Sequence, residues 1–345
     1  MIKASAYVLI ASGLILHAQA ANAQESITVA TYGGPAGNAT KTCFFDKFTA
    51  QTGIKVIPEP GVSGVTLAKL EQQRDNPSLD VAFLDGGISE LADAAGVLAP
   101  IDPAKVPNMQ GYLAKGVYKN AKGEVYSLSS GFYSIAITYN TRSVKTPPTS
   151  WNDLWKKEYA GAVTFPSPDN AMGLPFFLAI AKTYGSGYDD VPAAVAKLKD
   201  LKVSSYFKTS GAGQNLFQSG EAIIGAMYRH TSYIMADQGL PIASVVPAEG
   251  AVAGDIRIHL VKGTKKREAA EKLINVAASR EALECIAELS FYGPPLKEFK
   301  LSDKTNERMP WGPTGNADNL VTFDWAMLNA RRADLLTVFN RDVAR

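Results

Sequence analysis

The sequence predicts an α/β protein of two lobes, and three observations carry that expectation. Strand-like and helix-like segments alternate from residue 27 onward, the order that builds a parallel sheet covered by helices. The chain has 345 residues, more than one hydrophobic core usually organises. A second α/β run starts after Ser150-Trp151-Asn152-Asp153, with no repeat, low-complexity tract or flexible linker before it. The lobes are therefore expected to be joined by structured crossings.

The chain opens with a single charge, Lys3, then an apolar run from Ala6 to Leu16, then Ala21-Asn22-Ala23. This layout predicts a secretory signal peptide over residues 1–23, cleaved near Ala23. The apolar run is far short of the roughly 20 residues that cross a bilayer. No later stretch is long and apolar enough to span, so a soluble periplasmic protein is expected. Basic and acidic residues are nearly balanced, 35 against 33, which excludes a nucleic-acid or anionic-membrane surface as the expected partner.

Within the first lobe, Ile27 to Tyr32 alternates as a strand and runs into Gly33-Gly34-Pro35-Ala36-Gly37. A helix follows, with Phe44, Phe45 and Phe48 at helical spacing and Gly53 as its stop. Ile54 to Ile57 reads as a strand, Val65 to Gln73 as a helix, and Leu79 to Leu84 as a third strand ending at Asp85-Gly86-Gly87. Ligands of such sheets sit at the carboxyl ends of the strands, which points to Tyr32-Gly33 and Asp85-Gly86.

Ser150 and Asp153 have the spacing of a reciprocally capped helix start. Ala162 to Phe165 reads as a strand that stops at Pro166-Ser167-Pro168-Asp169-Asn170, and a helix resumes near Leu174. Ala222 to Met227 is a further buried strand ending at Tyr228-Arg229-His230, and Ile242 to Val246 and Ile256 to Val261 complete the set.

Cys43 and Cys285 are the two cysteines, and in an oxidising compartment they read either as a disulfide or as two small buried apolar residues. Their spacing matches no zinc motif. His230 and His259 stand apart from them and from each other, so no metal is expected and both read as structural. No cofactor is expected. The G-x-S-x-G, Walker and H-E-x-x-H signatures of an enzyme on such a fold are absent from the sequence, and the Gly33–Gly37 loop lacks the lysine and hydroxyl of a phosphate cradle.

Several stretches together give the chain a family likeness: Phe48 to Val56, Pro147 to Gly161 around Trp151 and Trp155, Phe217-Gln218-Ser219-Gly220-Glu221-Ala222, Glu249-Gly250, and Lys265 to Asn275. In this order, over residues 27 to about 295, they resemble the type II periplasmic solute-binding proteins of ABC importers, especially the spermidine/putrescine-binding branch. The resemblance implies a two-lobed type II fold with a ligand cleft between the lobes. It implies a first lobe over 24–135, a second over 136–257, and a return over 258–345 with the C-terminal helices. Ile135–Asn140 and Asp255–Val261 would be the crossings. Both cysteines then fall in the first lobe, where a Cys43–Cys285 disulfide is expected. The implied partners are a small-molecule ligand and membrane permease subunits, the implied state is a monomer, and no catalysis is implied.

The resemblance also implies ligand contacts, matched by position at Tyr32, Gly33, Asp85, Gly86, Phe132 or Tyr133, Asp169, Tyr228 and Tyr292. In polyamine-binding relatives aromatic rings enclose the methylene chain and carboxylates hold the ammonium ends. The present chain departs from them at Ala253-Gly254-Asp255-Ile256-Arg257, where a tryptophan is missing and an arginine stands. Arg229 and Arg257 at strand ends would repel a polyamine but would grip a carboxylate by two parallel bonds. Set against acidic residues such as Asp85 or Asp169 that would hold an amine, and with Asp255 as a further candidate contact, they suggest a zwitterion, such as γ-aminobutyrate or another amino acid, with polyamine binding as the alternative. The opposing reading pairs Arg257 with Asp255 and leaves Arg229 in solvent. A ligand-sensing receptor or an α/β hydrolase ranks below both, and Phe291 in place of one tyrosine argues against iron.

Overall fold

The computed structural model describes residues 24–344, and the expected signal peptide at 1–23 lies outside the described residues. Eleven strands form one sheet in the order β2-β1-β3-β11-β6-β9-β7-β8, with β4 beside β11 and with β5 and β10 beside β6. They are β1 Ser26–Thr31, β2 Lys55–Pro60, β3 Val81–Asp85, β4 Leu98–Ala99, β5 Val117–Lys119, β6 Val125–Asn140, β7 Val163–Pro166, β8 Val203–Phe207, β9 Ile224–Tyr228, β10 Ile242–Val245 and β11 Val252–Val261.

The first three strands are parallel, as their intervening helices require, and so are β7, β8 and β9. Between these two parallel halves run β6 and β11, antiparallel to each other and to the strands they join. The 16-residue β6 pairs with β5 and β11 along its first part and with β9 and β10 along its last part. One extended segment therefore carries the chain from one half to the other, as the two-lobed fold demands.

The expected crossings at Ile135–Asn140 and Asp255–Val261 fall inside β6 and β11, but β6 begins ten residues earlier, at Val125. Ser127, Ser129, Ser130 and Gly131 hide that stretch from a reading by hydrophobicity. All four are nonetheless buried, Ser127 paired with Tyr118 of β5, and Ser129 and Gly131 with Arg257 and Ile256 of β11. A register shift between Ile256 and Arg257 leaves Ser130 as the extra residue of a bulge, and its hydroxyl donates to Ile256 O at 3.1 Å. Strand β8 was not expected from the sequence either. Its burial is intermediate at four of five positions, the mark of an edge strand.

Helical turns from Gly34 to Thr52 run on as one rod with a wider π-type turn at Lys41–Phe45. The rod presents Phe44, Phe45 and Phe48 to the core, and Phe44 stacks on Phe83 of β3 at 6.0 Å. Cys43 on the same rod is bonded to Cys285 on helix Arg280–Ser290, with a Cα–Cα distance of 5.6 Å. In the other half Phe165, Tyr206 and Phe177 receive Phe339 of the last helix, Arg332–Asp342, in edge-on contacts of 5.5–6.3 Å. The C-terminal segment thus returns to the half built on β7 and β8. Among the described residues no helix is long and apolar enough to cross a membrane.

The cystine closes a loop of 242 residues. In the chain-entropy account it stabilises the folded state by about 5 kcal/mol, through what it removes from the unfolded ensemble. Cys43→Ser should lower the urea midpoint accordingly, and wild-type protein unfolded in the absence of reductant should show no free thiol. Two titratable thiols in that sample would overturn the pairing.

Candidate functional site

A cavity of about 710 Å³ opens at the carboxyl ends of β1, β3, β7, β8 and β9. Parallel strands from both halves end there, so backbone groups and helix starts converge on one space. Its size is that of a small-molecule site, and its walls include apolar Val62, Val65, Ile88, Ile234 and Ile256.

Asp85 is the last residue of β3 and lines the cavity. Three hydroxyl groups donate to its carboxylate: Ser63 at 2.7 Å and Tyr32 at 2.9 Å to Oδ2, and Tyr133 at 2.8 Å to Oδ1. Ser63 also accepts from the Asp85 amide at 2.9 Å. Among the described residues no lysine, arginine or histidine forms an ion pair with it. Burial pushes its pKa above the usual carboxylate range, against the lowering effect of the three hydroxyls and the more distant Arg257 charge. A hydrogen-bonded anion without a counter-ion in the wall of a cavity is suited to receive a cation.

Aromatic rings surround this carboxylate. Tyr133, Tyr228, His230 and Tyr292 form a cluster with centroid separations of 4.9–6.4 Å, and all four line the cavity. Tyr228 donates to Asn170 Oδ1 at 2.6 Å, and that amide is fixed in turn by the carbonyl of Lys208. His230 Nδ1 and Ser290 Oγ are buried in the wall with no hydrogen-bond partner among the described residues. Burial lowers the His230 pKa to about 3, so the ring is a neutral donor or acceptor. The sequence had pointed to a structural role for both histidines. His259 does sit in the core, between Ser89 Oγ and the Ala82 carbonyl, whereas His230 lies in the cavity wall.

The cavity brings together Tyr32, Gly33, Asp85, Tyr133, Asp169, Tyr228 and Tyr292 of the residues singled out in the sequence. Asp169 is not a free anion, since Lys208 lies 3.0 Å from it in an exposed pair. Gly86, Phe132, Arg229, Asp255 and Arg257 are placed elsewhere, and strand geometry explains most of this. Side chains alternate across a strand, so one step in sequence reverses the face. Asp85 pairs with Ile256, and Tyr133 with Gly254, on the cavity face. Phe132 pairs with Asp255 on the other face, where it packs with Ala253, Ala317 and Leu320.

Arg257 lies outside the cavity lining and is paired within the protein. It is 1 % exposed, and its Nε lies 3.0 Å from both carboxylate oxygens of Asp255, with Nη1 2.6 Å from Glu90. Its guanidinium stacks on Tyr118 at 3.4 Å, and Tyr118 donates to Asp255 at 2.8 Å. Burial opposes the Arg257 charge, but Asp255, Tyr118 and Glu90 together hold its pKa well above the ordinary value. A side chain at Gly86 would meet Arg257, Asp255 and Trp325, each 2.9 Å from its Cβ. Gly86 thus backs onto this network and lets it press against the turn that carries Asp85.

Arg229 is not in solvent. It follows β9 and is buried, donating to the carbonyls of Met309, Ser244 and Glu307 at 3.1–3.5 Å. It ties the 307–309 segment to the sheet. The missing tryptophan near Gly254 also has a structural counterpart. A Cβ there would lie 2.7–2.8 Å from the Tyr133 ring, so glycine makes room for the tyrosine that reaches Asp85. Ser63, Asn170, Ser290 and Arg332 line the cavity without having been singled out. Ser63 opens helix Ser63–Gln72, two residues after Gly61, a turn signal that could have identified it.

Comparison with known proteins identifies the family and the fold. The family model described as bacterial extracellular solute-binding protein matches residues 44–310. The spermidine/putrescine-binding periplasmic protein of Escherichia coli is 28 % identical over 306 residues, 86 % of this chain and 85 % of its own. A candidate 2-aminoethylphosphonate-binding periplasmic protein of Salmonella typhimurium is 26 % identical over 270 residues, 75 % of each chain. A solved extracellular solute-binding protein from Bordetella parapertussis superposes with a TM-score of 0.76 at 25 % identity, over 92 % of this chain and 99 % of that one.

The buried arginine network yields a prediction for stability. Arg257→Ala leaves Asp255 buried without its cation, which should cost about 3 to 5 kcal/mol of folding stability. Denaturant melts would measure that loss. A stability change below about 1 kcal/mol, typical of an exposed position, would contradict the network.

Proposed function

The chain belongs to the bacterial extracellular solute-binding proteins, and from that premise we propose that it captures a small amine-bearing solute whose ammonium group sits against Asp85. One observation carries this reading: a carboxylate in the cavity wall is held by three hydroxyl donors and has no cation of its own. An ammonium supplies the missing charge and three donors in a compact head. The faces of Tyr32, Tyr133, Tyr228 and Tyr292 suit the same group and the methylenes beside it, since ring quadrupoles attract cations. The two relatives named above for polyamines and 2-aminoethylphosphonate share a primary amine as their common chemistry.

A diamine is the poorer fit. Its second ammonium needs a second free anion, yet the other acidic residue of the wall, Asp169, is already paired with Lys208. The protein is the solute-binding component of an ABC transporter. We propose that it acts in the periplasm after removal of residues 1–23, as a monomer that delivers its ligand unchanged to permease subunits. Closure around the solute would follow from the two long strands, β6 and β11, that join the halves. The lobe boundaries at 135 and 257 belong to the same proposal.

Asp85→Asn tests the ammonium seat. It should weaken binding of butylamine or γ-aminobutyrate by about 2 to 5 kcal/mol in titration calorimetry, while leaving the melting temperature of the free protein unchanged or raised. Undiminished amine binding by the variant would remove the seat from Asp85. Mass spectrometry of the same samples should recover the ligand chemically intact, and accumulating product would refute transport without turnover.

Acidity offers a second check. The native Asp85 pKa is raised, so the proton this group takes up stabilises the free protein below the unfolded value of about 3.9, and that contribution is lost as pH rises through the native value. An ammonium ligand requires the ionised form. The rise in melting temperature on adding ligand should therefore fade as pH falls through a value above the usual carboxylate range. His230, already neutral above about 3, does not titrate in that window. The same fading in Asp85→Asn would assign it to another group.

A further inference from the structure

Arg332 is the first residue of the final helix, and its side chain reaches the cavity wall that Asp85 also lines. Its Nε and Nη2 donate to Asn329 Oδ1 at 3.0 and 2.9 Å. That neutral amide leaves the positive charge without a counter-ion, and no ion pair among the described residues involves it. Burial lowers its pKa with no carboxylate to offset the effect. The three other cations near the site differ from it. Lys208 is paired with Asp169, Arg257 with Asp255 and Glu90, and Arg229 is spent on backbone carbonyls away from the cavity.

The position of Arg332 is held from two sides. Asn329, which orients the guanidinium, also donates to the Gly87 carbonyl at 2.7 Å. A Cβ at Gly87 would lie 3.3 Å from Arg332 Nη2 and 2.7 Å from the Trp325 ring, so the guanidinium rests against the turn that follows Asp85. On the other side, Phe339 of the same helix is wedged among Phe165, Phe177 and Tyr206. The cavity therefore contains one uncompensated carboxylate and one uncompensated guanidinium at the same time.

We infer that Arg332 receives an anionic group of the ligand, so that the site takes a zwitterion with an amine at one pole and a carboxylate or phosphonate at the other. This rests on the ammonium seat at Asp85 and adds the second pole, on a residue beyond 310, where the family match ends. A planar fork with unused Nη1 donors suits either anion, because both offer paired oxygens. A ligand with both charges cancels two desolvated charges at once. A plain amine cancels one and leaves Arg332 repelling it.

The test compares γ-aminobutyrate and 2-aminoethylphosphonate with butylamine, by titration calorimetry on the wild type and on Arg332→Gln, Arg332→Lys and Asp85→Asn. Arg332→Gln should weaken both zwitterions by on the order of 30-fold or more, yet bind butylamine as well as or better than the wild type. Arg332→Lys keeps the charge and loses the fork, and should fall between the two. It also serves as the reading should the glutamine variant fail to fold. A purely structural role would weaken zwitterions and butylamine in proportion, and that result, or no change in any ligand, overturns the inference while Asp85→Asn still shows the ammonium seat. If Asp85→Asn leaves all three ligands unaffected, the seat itself fails, whatever Arg332 does. Binding of butylamine but of neither zwitterion by the wild type would also overturn the second pole.

Discussion

The buried contact of Arg257 with Asp255 and Glu90 fixes the region on which the site depends. Three charges lie at the back of the Asp85-Gly86-Gly87 turn, and their bonds run between β11, the helix Ile88–Ala94 and the ring of Tyr118. Charges this deep are tolerated only when paired and hydrogen-bonded. The pairing constrains the turn from behind, while Trp325 closes over it from the C-terminal segment. Asp85 can then project into the cavity from a rigid support, which a binding group needs if little binding energy is to be spent on ordering it.

Paired charge behind the turn contrasts with unpaired charge in front of it. Behind, Nε and Nη1 of Arg257 are each bonded to a carboxylate. In front, Asp85 receives only neutral hydroxyls and Arg332 only a neutral amide. Both front groups have pKa values moved by burial toward the neutral form. A free protein accepts that cost when a ligand is to relieve it, and binding sites commonly hold such strained electrostatics. The neutral His230 and the unpartnered Ser290 hydroxyl add polar capacity without adding charge.

Small residues make these approaches possible. Gly254 admits the Tyr133 ring, Gly86 the arginine network, and Gly87 both Trp325 and Arg332. At each of these positions a methyl group would collide with a neighbour the site uses. The glycines at the ends of β3 and within β11 therefore act through the space they leave as much as through their backbone freedom.

The sequence by itself determined the alternation of strands and helices, the placement of Asp85, Tyr32, Tyr228 and Asp169 at strand ends, and the family likeness. These are legible because hydrophobic period and turn residues act over a few neighbours. It did not determine which face of β6 and β11 looks into the cavity. Phe132 against Tyr133, and Asp255 and Arg257 against Gly254 and Ile256, differ by one step, and the bulge at Ser130 and pairing with β3 set that step. Nor could local pattern show that Arg332, 247 residues after Asp85 in the chain, shares its cavity. Only the packing of the C-terminal segment against the Gly87 turn and the Phe165 cluster brings these two charges together, because long-range docking depends on surfaces that exist only once both halves have folded.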